Sequence, residues 1–256
     1  MKVLLILQFF LLSASIPAKI LIISDFDDTI KRSNIVDRSI RTLGNSLLSY
    51  KPYYDIPSLY IEMEKLSNGL YVLSASPTAL RPLIKWTLKS YNIPYQDIFT
   101  RRLSEIGSDE RKINYKINRI ESVLKSNSDK VILLGDNVEA DHLIYMKIDE
   151  KNPGRVAQIY IRRVIPGRLP FGVVGFFSAY EIAAHEYSAG RLSLAQVKKV
   201  ARVILNTSQE EFYKIIPYYG ICPRDIREFN LPVSSSLVYI EVAIVTKIIQ
   251  YCAERD

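Results

Sequence analysis

The 256-residue sequence contains no internal repeat, no low-complexity tract and no lysine- and arginine-rich run. Those absences exclude repeat, fibrous and disordered classes. No basic motif interleaved with aromatics is present either, so no nucleic-acid partner is expected. Cysteine is scarce: Cys222 and Cys252 stand alone, and they admit either one disulfide or two buried thiols. No apolar run is long enough to span a bilayer, because the N-terminal run over residues 3–12, broken only by Gln8, soon meets Pro17 and Lys19. What remains is ordinary for a globular chain, with 48% hydrophobic and 24% charged residues, and its length fits one medium α/β domain or one domain with an appendage. Lysine and arginine number 34 against 27 acidic residues, a formal charge of +7, which favours anionic partners such as phosphates or acidic lipid head groups.

The N-terminus reads Met1-Lys2, then the apolar run, then the small residues Ser13, Ala14, Ser15 and Ala18. That is the pattern of a secretory leader, with cleavage after Ser15 or Ala18. The alternative is a buried first strand or helix. The pattern predicts a leader over 1–18 and export to the periplasm or the outside of the cell; an uncleaved segment would imply a cytoplasmic protein.

Apolar β-prone runs at 20–24, 70–73, 131–134 and 156–161 alternate with helical spacing at 56–66, 113–124 and 140–148. Such alternation predicts a Rossmann-like α/β fold, a parallel sheet with helices on both faces. A catalytic domain over 19–165 is expected on this basis. Beyond it, 179–186, 194–205 and 237–252 read as helices punctuated by Pro217, Pro223 and Pro232, giving a helical extension over 166–256 packed on the core. His185 falls within the first of these and is expected to be a core or surface residue, not a ligand.

Ligands of parallel sheets gather at the carboxyl ends of the strands, and three polar clusters fall there. Asp25-Phe26-Asp27-Asp28-Thr29 follows the first run, Ser74-Ala75-Ser76-Pro77 the second, and Gly135-Asp136-Asn137 the third. Phosphoryl transfer needs an in-line nucleophile, a proton donor for the leaving oxygen and positive charge around the equatorial oxygens. Asp25 and Asp27, one residue apart at a strand end, supply two carboxylates to one site if the chain bends after Asp25. Their mutual repulsion calls for a hard divalent cation, and Mg²⁺ suits oxygen ligands while leaving positions for phosphate and water.

At these residues the chain resembles the haloacid dehalogenase superfamily. Asp25-x-Asp27-x-Thr29 is similar to its first motif, which implies Asp25 as nucleophile and Asp27 as general acid and base with a backbone carbonyl on the metal. Ser74, with Ser76 as close rival, resembles the phosphate-binding hydroxyl of the second motif. Lys116, with Lys112 as the alternative, resembles the lysine of the third. Asp136 and Asp141 resemble the acidic fourth motif, implying Asp136 as a metal ligand and Asp141 as a ligand or as a carboxylate behind the ligands. The metal set implied is therefore Asp25, Asp27, Asp136 and Asp141, with Thr29, Lys31 and Ser76 assigned to substrate.

A narrower resemblance covers residues 19–164. Asp25-Phe26-Asp27-Asp28-Thr29-Ile30-Lys31-x-Ser33, Tyr71-Val72-Leu73-Ser74-Ala75-Ser76-Pro77, Lys116-x-x-x-Ile120, Leu134-Gly135-Asp136-Asn137 with Asp141, Ile144-Tyr145, and Pro153-Gly154-Arg155-Val156 through Ile159-Tyr160-Ile161-Arg162 are similar to the catalytic domain of actin-patch-type phosphatidate phosphatases. The chain departs from that family at Thr78, where an aromatic is usual, and at residues 99–103, where glycine is usual. Only about 25 residues separate Ile30 from Ile56, and the stretch from Pro77 to Lys116 holds one helix and a loop, so only a minimal cap and an open site are expected. An open mouth suits a phosphate on a bulky body, such as a lipid at an anionic membrane surface, with Arg101, Arg102, Arg162, Arg163 and Arg168 as candidate contacts. The alternatives are the same chemistry on soluble phosphomonoesters or phosphoproteins, and a non-catalytic anion-binding module.

Overall fold

The computed structural model describes residues 19–33 and 50–255. The expected leader over 1–18 and most of the first cap insertion lie outside the described residues. Six strands form one parallel sheet in the order β3-β2-β1-β4-β5-β6: β1 Ile20–Asp25, β2 Ser67–Pro77, β3 Asp97–Arg101, β4 Lys130–Asp136, β5 Val156–Arg162 and β6 Val173–Phe176. Helices α1 Ile56–Glu64, α2 Arg81–Ser90, α3 Asp109–Ser126 and α4 Asp141–Lys151 connect the strands; α5 Ala179–Ser188, α6 Leu194–Asn206 and α7 Val238–Ala253 follow them. The α/β architecture with helices on both faces is as expected.

The two-residue period of a strand sorts the core. Ile20 and Ile22 of β1, Ile132 and Leu134 of β4 and Tyr160 of β5 point to one side, where α1, α2, α5, α6 and α7 cover them. Leu21, Ile23, Val131, Leu133, Ile159 and Ile161 point to the other, beneath α3 and α4. Both faces are dry, which is why these strands read as unbroken apolar runs.

Two strands differ from the sequence expectation. β3 reads Asp-Ile-Phe-Thr-Arg and pairs with β2 alone, so its half-exposed alternation hides it. β6 comes from beyond residue 165 and pairs in parallel with β5. The C-terminal region is therefore not helical throughout; it completes the sheet with one strand before its helices cover one face. Between β2 and α3 the described chain holds α2, β3 and two short 3₁₀ turns, with no additional domain. Among the described residues no helix is long and apolar enough to cross a membrane.

Strand order reverses between β1 and β4. That is the position at which doubly wound sheets leave a crevice beyond the strand ends, and there β1 delivers Asp25 and β4 delivers Asp136.

Candidate active site

β1 stays in register with β2 through the pairing of Asp25 with Leu73, and the chain then turns sharply. The amides of Ile30 and Lys31 both donate to the carbonyl of Phe26, at 3.0 and 2.8 Å, while the Phe26 ring sinks into the core. Asp28 takes φ +53°, in the left-handed region that a non-glycine residue enters only when its surroundings hold it there. Its Oδ1 accepts from the Ser33 amide at 2.9 Å and from the Tyr219 hydroxyl at 3.1 Å. Burial is the main reason its carboxyl is pushed up to about 6.

The turn splits the predicted residues into two adjoining groups. In the first, Lys116, on α3 and 1% exposed, places its ammonium 2.7 Å from Asp25 Oδ1, 2.6 Å from Asp141 Oδ1 and 3.2 Å from Glu139 Oε2. Ligand oxygens of Asp25, Asp136 and Asp141 lie within 4.8 Å of one another. Asp136 Oδ1 accepts from the amides of Val138 and Glu139, and its Oδ2 accepts from the Thr29 hydroxyl at 3.4 Å. Asp25 Oδ2 is buried without a hydrogen-bond partner. Gly135 makes the approach of α4 possible, since a Cβ there would stand 2.6 Å from Asp141 Cβ and 2.8 Å from Tyr145 Cε2.

In the second group, Asp27 Oδ2 accepts from Ser74 Oγ at 3.3 Å and from Ser76 Oγ at 3.2 Å. Its Oδ1 accepts from Lys31 Nζ at 3.1 Å and from Ser33 Oγ at 3.0 Å. Asp27, Lys31, Ser33 and Ser76, but not the buried Ser74, border a cleft of about 220 Å³ that Tyr50, Arg101, Lys112 and Glu139 also line. The rival serines thus both reach the same carboxylate. The rival lysines do not: Lys112, one helical turn before Lys116, pairs with Glu139 at 3.1 Å and Asp109 at 3.5 Å. The Asp27 carboxylate lies outside the Asp25, Asp136 and Asp141 cluster and faces the hydroxyls instead.

Electrostatics separate the groups further. Burial, reinforced by neighbouring carboxylates, holds Asp25 and Asp136 well above the ordinary carboxylate range, against the opposing pull of Lys116. Burial raises Asp141 as well, again opposed by Lys116. Burial alone would lower Lys116, but Asp141, Asp25 and Glu139 outweigh it and keep the ammonium charged far above its usual range. Glu139 is held low because Lys116 and Lys112 outweigh its burial. Three buried carboxylates face one ammonium, and one of their oxygens, Asp25 Oδ2, has no donor. A hard divalent cation fits that donor set.

Among the predicted surface arginines, only Arg101 lines the cleft. Arg162 is not a surface contact: it is 2% exposed, its guanidinium lies 3.7 Å from the Tyr53 ring centre and 4.7 Å from that of Phe176, and Nη1 donates to the Phe177 carbonyl. Strand period explains it, because Arg162 shares the inward face of β5 with Tyr160. Arg163 and Arg168 border a separate hollow beside β6, and Arg102 is exposed. His185 binds the Asn230 carbonyl at 2.7 Å, away from the carboxylate cluster. Glu139 and Tyr219 were not singled out in the sequence. The only trace of Glu139 is an acidic residue two positions before Asp141; Tyr219 leaves none.

A protein of Schizosaccharomyces pombe (strain 972 / ATCC 24843), the uncharacterized protein C29B5.04c, is 28% identical over 151 residues, which cover 56% of this chain and 25% of that protein. The chain therefore spans about a quarter of the length of this curated relative. A Listeria monocytogenes structure assigned as a UDP-N-acetylglucosamine 2-epimerase aligns over 73% of this chain and 38% of its own at 13% identity, with a TM-score of 0.34, too low to support an argument. Residues 20–163, more than half of the chain, match the family described as phosphatidate phosphatase APP1, catalytic domain. These are the residues that carry β1 to β5, the carboxylate cluster and Lys116, and the chain belongs to the family of the APP1 phosphatidate phosphatase catalytic domain.

Proposed function

We propose that this chain is a Mg²⁺-dependent phosphomonoester hydrolase of the haloacid dehalogenase type, acting on phosphatidate or a related lipid phosphate through an aspartyl-phosphate on Asp25. The observation that carries the proposal is the partnerless Oδ2 of Asp25, held beside Lys116 at the strand-order reversal with Asp27 two residues away.

In the proposed reaction Asp25 Oδ2 attacks phosphorus, forming a carboxylate–phosphorus bond as the bond to the leaving oxygen breaks. Asp27 acts as the general acid, giving a proton to that oxygen and releasing the alcohol. Water then attacks the aspartyl-phosphate while Asp27, now a carboxylate, takes a proton from it; free phosphate departs and Asp25 is regenerated. Lys116 fixes Asp25 through Oδ1 and opposes the charge that gathers on the transferred group. The hydroxyls of Ser74 and Ser76, the Lys31 ammonium and Thr29 provide donors for phosphate oxygens. Mg²⁺ held by Asp25, Asp136 and Asp141 would supply Lewis-acid neutralisation of the phosphate oxygens.

Lipid phosphate is favoured by the activity that names the family and by the lining of the cleft, where Lys31, Arg101 and Lys112 outnumber Asp27 and Glu139. Peripheral contact with an anionic membrane fits that lining and the formal charge of +7. We also propose export, on the strength of the N-terminal apolar run and of the bond joining Cys222 to Cys252, since disulfides persist in oxidising compartments.

The test is phosphate release with and without Mg²⁺ from phosphatidate in mixed micelles and from a panel of soluble phosphomonoesters and phosphopeptides. Preference for phosphatidate is expected, together with complete loss in Asp25→Asn and a beryllofluoride adduct on Asp25. Equal or better turnover of the soluble panel would overturn the lipid assignment; full activity of Asp25→Asn would overturn the mechanism.

A further inference from the structure

The catalytic turn is held from a direction that the family-matched span does not include. Tyr219 lies beyond residue 163, in a loop between α6 and α7, yet its hydroxyl donates to Asp28 Oδ1 at 3.1 Å across 191 positions of sequence. That loop is itself fixed. Arg255 donates to the carbonyls of Pro217, Tyr218 and Gly220, the Tyr251 hydroxyl donates to the Ile216 carbonyl at 3.1 Å, the Ile221 amide donates to the Val164 carbonyl at 2.9 Å, and Cys222 is bonded to Cys252 of α7.

We propose that Tyr219 is a positioning residue for the phosphoryl-transfer site: by holding the Asp28 carboxylate it keeps the left-handed turn that sets Asp27 and Thr29 relative to Asp25. Asp28 needs such a hold because an L-residue at φ +53° relaxes to other backbone conformations unless its side chain is anchored. Ser33 provides one anchor from within the turn and Tyr219 the other from outside it. Loss of the outer anchor frees the turn to sample conformations in which Asp27 no longer meets the leaving oxygen. Chemistry then slows more than binding weakens, because Ser76, Arg101 and Lys112 of the cleft lie outside the turn, so the effect falls mainly on kcat.

The inference rests on the hydrolase reading for its kinetic consequence but not for its structural one, so two readouts separate the failures. Tyr219→Phe keeps the ring and removes the hydroxyl. Its kcat should fall about tenfold with KM within twofold of wild type, the scale of one hydrogen bond to a charged group. Amide hydrogen exchange over residues 26–33 should quicken in the same variant while the thermal midpoint stays close to wild type. In an Asp28→Gly background, where glycine accepts the left-handed turn without an anchor, Tyr219→Phe should cause no further loss. Unchanged exchange in the turn, unchanged kcat, or an equal fractional loss in the glycine background would each overturn the proposal. If the wild-type chain releases no phosphate, the hydrolase reading fails and the exchange measurement alone decides the anchoring role.

Discussion

Replacing Lys116 by Met tests the site as an electrostatic object, apart from its chemistry. Met preserves most of the side-chain volume and removes the charge from a position 1% exposed. The ammonium contacts Asp25 and Asp141 at 2.7 and 2.6 Å and Glu139 at 3.2 Å. With an effective dielectric constant of about 20, each of the two close contacts is worth roughly 6 kcal/mol of gross attraction and the third roughly 5. Desolvation of the four ions offsets most of that sum, and removing one partner from a buried cluster typically costs about 3–5 kcal/mol net. Urea unfolding in EDTA should therefore show Lys116→Met less stable than wild type by about that amount, with turnover reduced at least about 10²-fold. Excess Mg²⁺ should narrow the gap, because a cation at about 100 times its dissociation constant adds roughly 2.7 kcal/mol to any form that binds it, and the variant presents it with a more negative site. Adding Asp25→Asn to the variant should restore stability by relieving one uncompensated charge. A stability in EDTA within about 1 kcal/mol of wild type, or a gap that Mg²⁺ leaves untouched, would refute the charge balance derived for the cluster.

Two further outcomes are expected. Glu181 is buried, and burial pushes its carboxyl from 4.5 up to about 7 against hydrogen bonds from Ser178 and Phe177. The folded protein thus keeps this proton to a higher pH than the unfolded chain does, so the stability it confers is full below pH 4.5 and is lost as pH rises toward about 7, a decline of roughly 3 kcal/mol. Glu181→Gln should flatten that decline in pH-dependent unfolding; an unchanged slope would assign it to another group. Gly135→Ala should drive Asp141 off its position, given the 2.6 Å approach, with about 1–3 kcal/mol lost and Mg²⁺ affinity down at least about tenfold by calorimetric titration. Wild-type metal affinity would show that Asp141 does not depend on this close approach.

The elements legible in the sequence were those buried on both faces. β1, β2, β4 and β5 present continuous apolar runs because neither side meets water, and the acidic and hydroxyl clusters stand out against those runs. β3 carries Asp97, Thr100 and Arg101 on a half-exposed edge, and β6 is four residues long with Gly175 inside it, so neither gives a run to recognise. The carboxylates proposed to ligate or attack were legible because local order suffices: Asp25 and Asp136 end strands, and Asp141 opens the helix that follows. Glu139 became visible only when the fold set it against Lys112 and Lys116. Tyr219 and Asp28 meet through tertiary structure alone. Arg162 was misjudged for the opposite reason: arginine usually lies in water, and only its alignment with Tyr160 on one face of β5 betrays that it is buried between Tyr53 and Phe176.

The covering of one sheet face by α5, α6 and α7 sets the order in which the chain can fold. When synthesis has passed residue 163, Leu21, Ile23 and Leu133 already have α3 and α4 to pack against. On the opposite face α1 and α2 are already made, but the cover that Ile22, Ile132 and Tyr160 share with residues 179–252 is still to come. The nascent catalytic half therefore carries an incompletely covered apolar face for roughly 90 further residues, about 5–20 s of synthesis at ordinary elongation rates. A folding intermediate of that kind is a substrate for chaperones and a hazard for aggregation. The family match ends at residue 163, but the core begun within it is closed by helices that come after it.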